Sequence, residues 1–509
     1  MAERLHRFRG GLELPGMKEA ATASPIRVMP PPKRIVLPLS QHIGEPAKPR
    51  VAPGERVLRG QMVAAAEGII SAAIHASTSG TVVAIEDHLV PHPSGLAAPC
   101  IIIDADGRDE AIEPVPLSDW ENRDAGEIRE RVRDAGIVGL GGAAFPSWIK
   151  LSGNRDQPLD TLILNGAECE PCISCDDMLM RERADEVISG ARIMLRALHA
   201  RHCLVAVEDN KPEAAEALQA ALAKFADPRI ELVIVPSRYP QGGERQLIET
   251  LTGREVPHDG LPLDIGIVCH NVATAAAVHR AVVHGEPLTS RIVTVTGGGV
   301  AEPCNVEARI GTRMSELIAF CGGYRGDVAR LIMGGPMMGF TLRSDDAPVI
   351  KASNCLLAGT AEEFAPRRET LPCIRCGACA DACPASLLPQ MLYWHTRARD
   401  FERVQEYDLF DCIECGSCDL VCPSQIPLVS HFRYAKTEIW GKNEERAKAD
   451  NARRRHEARQ ARLEREAREQ EEKRRRKLEA LEKMKSGDAK KAEIAAALER
   501  AQKRKEERS

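Results

Sequence analysis

The chain has 509 residues, 43% hydrophobic but only 4% aromatic, with a formal net charge of −5. This length exceeds what one hydrophobic core supports and predicts about three to five domains. No apolar run reaches the roughly eighteen residues a bilayer-crossing helix needs, and "MAERLHRFRGGLELPGMKEA" lacks the apolar stretch of a secretory signal, so a cytoplasmic location is expected. The charge is uneven: from Gly441 onward there are 24 Lys and Arg against 16 Asp and Glu, which leaves the preceding body near −13.

Residues 1–32 read as an N-terminal extension. Residues 33–115 carry short β-branched runs punctuated by glycine, the pattern of a small all-β module. The spacing of "GERVLRGQMVA" and "IHASTSGTVVAIE" resembles the barrel-sandwich hybrid of biotinyl and lipoyl carriers. The modifiable lysine of those carriers is missing from "HASTSG", which favours a structural sandwich over a swinging arm.

From 116 to 288, strand candidates "TLILNG", "HCLVAVED" and "IELVIVPSR" alternate with helical "RADEVISGARIMLRALHA" and "KPEAAEALQAALAKFA". This rhythm predicts a parallel sheet flanked by helices, with ligands held beyond the carboxyl ends of its strands. Residues 289–345 predict a compact α+β unit, residues 366–435 a cysteine-rich module, and residues 440–509 a charged, partly helical or disordered tail. The tail has many Glu/Lys and Glu/Arg neighbours but no sustained apolar seam.

Eight of the seventeen cysteines form two arrays: Cys373, Cys376, Cys379 and Cys383, then Cys412, Cys415, Cys418 and Cys422, each followed by proline. The spacing of two, two and three residues before proline is that of two-cluster bacterial ferredoxins, whereas zinc ribbons pair two separated knuckles. Two [4Fe-4S] clusters are therefore expected. In such runs the fourth cysteine serves the other cluster. Cys373, Cys376 and Cys379 are thus expected to share a cluster with Cys422, and Cys412, Cys415 and Cys418 one with Cys383. Cys169, Cys172 and Cys175 repeat the two, two spacing, but without a fourth cysteine, a proline or a mirror array they do not predict a third cluster.

A glycine-rich loop, "DAGIVGLGGAAFPSWIKL", precedes "LILNGAECEPCISCDD", "VEDNKPEA", "RYPQGGERQLI" and "CHNVATAAA". Such a loop lets backbone N–H groups approach phosphate closely, though alone it is a weak signal. With these companions, residues 30–435 resemble the RnfC family of Rnf electron transport complexes and, more distantly, the flavin-bearing NADH-binding subunit of respiratory complex I. The resemblance implies a multidomain α/β protein: a barrel-sandwich-like module, a Rossmann-like domain for FMN and NADH, a soluble-ligand-binding β-grasp unit, a dicluster ferredoxin module and a charged tail.

By the same resemblance, Gly139, Gly141, Gly142 and Lys150 match the loop that holds FMN. Asn165, Glu168 and Glu170 match the segment facing flavin and nicotinamide, with the two glutamates positioning hydride transfer between cofactors. Asn271 and Thr274 match a further FMN contact, Phe145 the aromatic that stacks on adenine, and Gly243 and Glu244 the rim of the same cleft. Glu208 is a weaker match. Departures are Leu140, Ala144, Trp148 and Cys172; Trp148 is large enough to narrow or reshape the nucleotide pocket. Any one acid also has an ordinary use, capping a helix start.

The implied function is a peripheral subunit on the cytoplasmic face of a membrane, in an ion-translocating NADH:ferredoxin oxidoreductase. Its partners would be other subunits, one of them a ferredoxin-like cluster protein, with ferredoxin reached indirectly, no nucleic acid, and the membrane met only through partners or the basic tail. The alternatives are a flavin subunit of a soluble NAD-linked hydrogenase or quinone reductase, and an electron-relay scaffold without NADH binding.

Overall fold

A computed structural model describes residues 5–153, 159–364 and 369–506. The chain divides at Arg433/Tyr434 into two compact units. Within the first, the β module has two sheets. One orders Arg34–Pro38, Ala97–Ala105, Gly80–Leu89 and Arg56–Val57, and the other orders Lys48–Pro49, Met62–Ala65 and Ile74–His75. Their inward faces supply Ile35, Leu37, Val57, Val63, Val82, Ile101 and Ile103, all buried, to a core that continues into the next domain.

That next domain is built on four parallel strands in the order Ile230–Val235, His202–Glu208, Thr161–Gly166, Ile267–Asn271. Helices Ala184–Leu198 and Val272–His279 contribute to the larger core on one face. On the other, helix Glu244–Thr252 packs Leu247, Ile248 and Leu251 on Ile163, Ala206 and Ile267. The chain begins at Thr161–Gly166, winds outward twice, and returns on the opposite side with Ile267–Asn271. The order therefore reverses between these two strands, where open α/β sheets leave a crevice for ligands. Asn165 and Asn271 stand opposite each other there.

The α+β unit is a six-stranded mixed sheet: Arg27–Val28, Cys304–Arg309, Ser290–Thr296, Cys355–Thr360, Val328–Met333, Phe340–Thr341. The 289–345 span expected from sequence omits Cys355–Thr360, which lies inside this sheet, parallel to Ser290–Thr296 and antiparallel to Val328–Met333. "CLLAGT" is buried along nearly all its length, so it shows no polar alternation to mark a strand. Nor do residues 5–32 form a mere extension: Arg27–Val28 pairs with Val306–Glu307, and Leu12 bridges to Tyr239.

The cysteine arrays are pseudo-symmetric in backbone as well as in spacing. Arg375 and Glu414, Gly377 and Gly416, and Ser386 and Gln425 occupy matching positive-φ positions. The short helices Ala378–Asp381 and Ser417–Leu420 pack on each other.

Where the sequence predicts a partly helical or disordered tail, one continuous helix spans Leu428–Glu506. The second unit is this helix from Tyr434 onward, and its described residues beyond Trp440 are exposed apart from half-buried Asp450. Its Ala, Glu, Lys, Arg and Gln content has high helix propensity, and pairs such as Glu444–Lys448 at 2.7 Å and Arg475–Glu479 at 3.7 Å add i,i+4 support. Among the described residues no helix is long and apolar enough to cross a membrane.

Candidate functional site

The glycine-rich loop is pinched at its base, where Gly139 N–H donates to the Phe145 carbonyl at 2.7 Å and Val138 bridges to Pro146. It lies on the crevice: Leu140 N–H donates to Thr274 Oγ1 at 2.9 Å, and a Cβ on Gly141 would meet the Asn271 side chain at 3.3 Å. Gly142 has φ +129°, a conformation side-chain-bearing residues rarely adopt, and the space where its Cβ would stand is open. Among the described residues, nothing accepts a hydrogen bond from the N–H groups of Gly141, Gly142 or Ala143. Exposed N–H donors beside the start of helix Val272–His279 are what a phosphate monoester requires, so the loop fits the phosphate end of a flavin nucleotide.

The sequence-predicted residues divide into those that open onto this crevice and those engaged elsewhere. Asn271 caps its helix through Ala273 N–H at 2.8 Å and donates to Asp176 at 2.6 Å, while Thr274 is buried beneath the loop. Asn165 donates to the Gly242 carbonyl at 2.8 Å, which ties the crevice to the Gly243 and Glu244 turn. Lys150 pairs with Glu244 at 2.6 Å and donates to the Cys269 carbonyl at 2.8 Å. Phe145 is half-buried on the loop, and Trp148 packs against the main hydrophobic core. Ala144, where glycine is common, is buried with φ +49°.

Glu168 receives the Asp176 and Asp177 N–H groups at 2.9 and 3.3 Å, capping helix Cys175–Glu182, with Lys18 at 3.8 Å. Burial and the Glu168 charge push the neighbouring Asp176 carboxyl up to about 7. Glu170 accepts from Met337 N–H at 2.7 Å and Met338 N–H at 3.0 Å. Gly335 permits that approach, since a Cβ there would lie 2.2 Å from Glu170 Cγ. Burial holds the Glu170 carboxyl above its ordinary range. Glu208 is fully buried in an ion pair with Lys211. Cys169 and Cys175 have separate partners: Cys169 accepts from Gly242 N–H, and Cys175 donates to Glu168.

The eight array cysteines line two separate hollows. Cys373, Cys376, Cys379 and Cys422 surround one, and Cys383, Cys412, Cys415 and Cys418 the other, so each hollow draws three ligands from one array and one from its repeat. Four sulfur donors around each hollow fit a cubane cluster.

Asp176, Lys18 and Tyr239 were not singled out from sequence, although "CISCDD" and "RYPQGGERQ" contain two of them. The Tyr239 hydroxyl donates to the Cys415 carbonyl at 2.6 Å and lies against Glu170. A contact spanning 176 residues leaves no local pattern.

A glycine-lined crevice at the reversal of a parallel sheet, coupled to two four-cysteine hollows, defines a multidomain protein of the flavin and iron–sulfur electron-transfer class. Family models agree domain by domain: an RnfC barrel-sandwich hybrid domain over 6–108, a Nuo51 FMN-binding domain over 132–280, an SLBB domain over 292–341 and a 4Fe-4S dicluster domain over 372–426. The chain is 53% identical over 453 residues to the RnfC component of the ion-translocating oxidoreductase complex of Pseudomonas aeruginosa, covering 89% of this chain and 58% of that one. It is 48% identical over 456 residues to the component of the same name from Erwinia tasmaniensis, covering 90% and 56%. Along this aligned length it is similar to these RnfC components, and it spans under two thirds of their length. A solved NAD+-reducing [NiFe]-hydrogenase chain aligns with TM-score 0.46 and 21% identity, covering 63% of this chain and 64% of that one.

Proposed function

We propose that the chain is the peripheral electron-transfer subunit of a membrane-bound, ion-translocating NADH:ferredoxin oxidoreductase, on the cytoplasmic face, with FMN at the glycine-rich crevice and two [4Fe-4S] clusters. FMN, when bound, accepts electrons as a hydride pair and releases them singly, which joins nicotinamide to one-electron carriers. Gly141 and Gly142 would take its phosphate end with Asn271 and Thr274. Lys150 and Asn165 would border the ring, and Phe145, Gly243 and Glu244 would border the nucleotide. Glu168 and Glu208 support this site by packing and capping. Glu170 lies between it and the cysteine module.

The observation that carries the reading is the adjacency to this crevice of the hollow lined by Cys383, Cys412, Cys415 and Cys418. Cys383, Cys415 and Cys418 are buried, and Gln246 donates to the Pro384 carbonyl at 3.4 Å. The first array faces outward: Cys376 is exposed, and Leu371, Ile374 and Trp394 beside it are exposed apolar side chains. Cys412, Cys415, Cys418 and Cys383 would therefore hold the cluster nearer the flavin, and Cys373, Cys376, Cys379 and Cys422 the one a partner protein meets. The sandwich module favours this family over a soluble hydrogenase subunit.

Anaerobic purification of the chain tests the reading. About one FMN and eight irons per chain are expected, with the flavin absorbance bleached by NADH. A chain with clusters but no NADH-responsive flavin would leave only an electron relay, and one without iron would remove the proposal.

A further inference from the structure

Between the crevice and the second array, Tyr239 bonds one peptide directly and Glu170 holds the backbone that packs on its other side. Tyr239 is 2% exposed, and its main chain is held on both sides by Leu12, N–H to carbonyl at 2.8 Å and carbonyl to N–H at 2.7 Å. Its hydroxyl donates to the Cys415 carbonyl at 2.6 Å. On the other side Glu170 fixes Met337 N–H, and the Met337 carbonyl lies 3.1 Å from where a Cβ on Gly416 would stand. The Cys415–Gly416 peptide is thus gripped by the same loops that border the nucleotide site.

We propose that Tyr239 is a positioning residue that sets the reduction potential of the cluster held by Cys412, Cys415, Cys418 and Cys383, an inference that rests on the cluster assignment above. The hydroxyl dipole points its proton at the backbone of a cluster ligand. In a buried setting that field is weakly screened, and cluster potentials respond to hydrogen bonding and burial. A proton directed at the ligand favours the reduced, more negative cluster, so the bond raises the potential. Tyr239 would thereby make the inner cluster the readier electron acceptor for the crevice beside it. Among the described residues no side-chain hydroxyl is seen to donate to the carbonyl of Cys376, the first array's counterpart of Cys415, and Cys376 is exposed.

Tyr239→Phe in the full chain removes only the hydroxyl. Redox titration followed by electron paramagnetic resonance is expected to show the inner cluster harder to reduce by about threefold in its oxidised-to-reduced ratio, roughly 30 mV for one electron. The outer cluster, an internal standard, should not move. Deuterium uptake across residues 412–418, read by mass spectrometry, should rise in the same variant as the peptide loses its restraint. Unmoved midpoints, or equal shifts in both clusters, overturn the proposal; so does a shift without increased uptake, which would assign the effect to something other than positioning. A wild-type chain without iron defeats the cluster assignment itself, whereas a two-cluster chain with an immobile midpoint defeats this inference alone.

Discussion

Glu208→Gln separates a cofactor contact from a structural ion pair at the one acid whose resemblance-based assignment and surroundings diverge most. Glu208 ends the His202–Glu208 strand, and Lys211 precedes helix Pro212–Phe225; both side chains are 1% exposed. Apart from Glu208, the Lys211 ammonium donates to Asn210 Oδ1 at 2.9 Å. Glutamine keeps the shape and an acceptor oxygen but removes the charge, leaving a buried cation without its counter-ion. Breaking one side of such a pair costs about 3–5 kcal/mol, and the retained acceptor places the expected loss near 3. Replacing both charged groups by apolar ones, as Glu208→Met with Lys211→Met, should recover all but about 1 kcal/mol, because a buried pair is replaced by an apolar contact at little net cost. The assay is urea unfolding of each variant by circular dichroism, with NADH affinity measured below the transition. A single variant that unfolds like wild type but loses NADH binding, which the double variant does not restore, would refute the structural account.

Three further outcomes are expected. Lys351 is buried and donates to the Ala73 and Gly136 carbonyls at 2.6 and 2.7 Å, with no carboxylate partner among the described residues, and burial lowers its ammonium to about 7 from the usual 10.5. The unfolded chain then binds the extra proton between these values, so stability is penalised in full below pH 7 and recovers as pH rises, by at most about 1.4 kcal/mol per unit. Lys351→Met should lack this slope, and unfolding profiles of variant and wild type that stay parallel from pH 6 to 9 would contradict it. Cys383→Ala should abolish the resonance of the cluster held by the second array while the first array's cluster survives; the reverse loss would mean that each array serves its own cluster. Gly142→Val should lower bound FMN at least tenfold at unchanged iron content, since it puts a branched side chain at φ +129° where N–H groups must approach phosphate; undiminished flavin would place the phosphate elsewhere.

The iron–sulfur module was the most legible part of the chain. Cluster ligation constrains residue type and spacing directly, and the repeat at Cys412 raised the expectation of an exchange of Cys383 and Cys422; each hollow is lined by three cysteines of one array and one of the other. The strands Thr161–Gly166, His202–Glu208 and Ile230–Val235 were equally readable, because an apolar run between helical patterns has few other uses. Less legible was anything set by pairing between distant segments. Cys355–Thr360 joins a sheet begun sixty residues earlier, and Arg27–Val28 joins the same sheet from far upstream, neither carrying a local alternation. The acids near residue 170 show the other limit. Their number marked the site, but only the fold distinguishes Glu168 as a helix cap, Glu170 as a tie to Met337, and Glu208 as half of a buried pair.

The contact of residues 10 and 11 with the iron–sulfur module bears on the order of synthesis. Gly11 N–H donates to the Ala382 carbonyl at 3.1 Å, and a Cβ on Gly10 would strike the Cys383 carbonyl at 2.5 Å. Roughly 370 residues separate these partners, which at bacterial-scale elongation takes on the order of 20–75 s. Throughout that time the segment around residues 10 and 11 lacks the surface it finally covers. Closure of this segment over Cys383 therefore has to follow synthesis of the first array, and the inner cysteines stay open to an iron–sulfur donor until it closes.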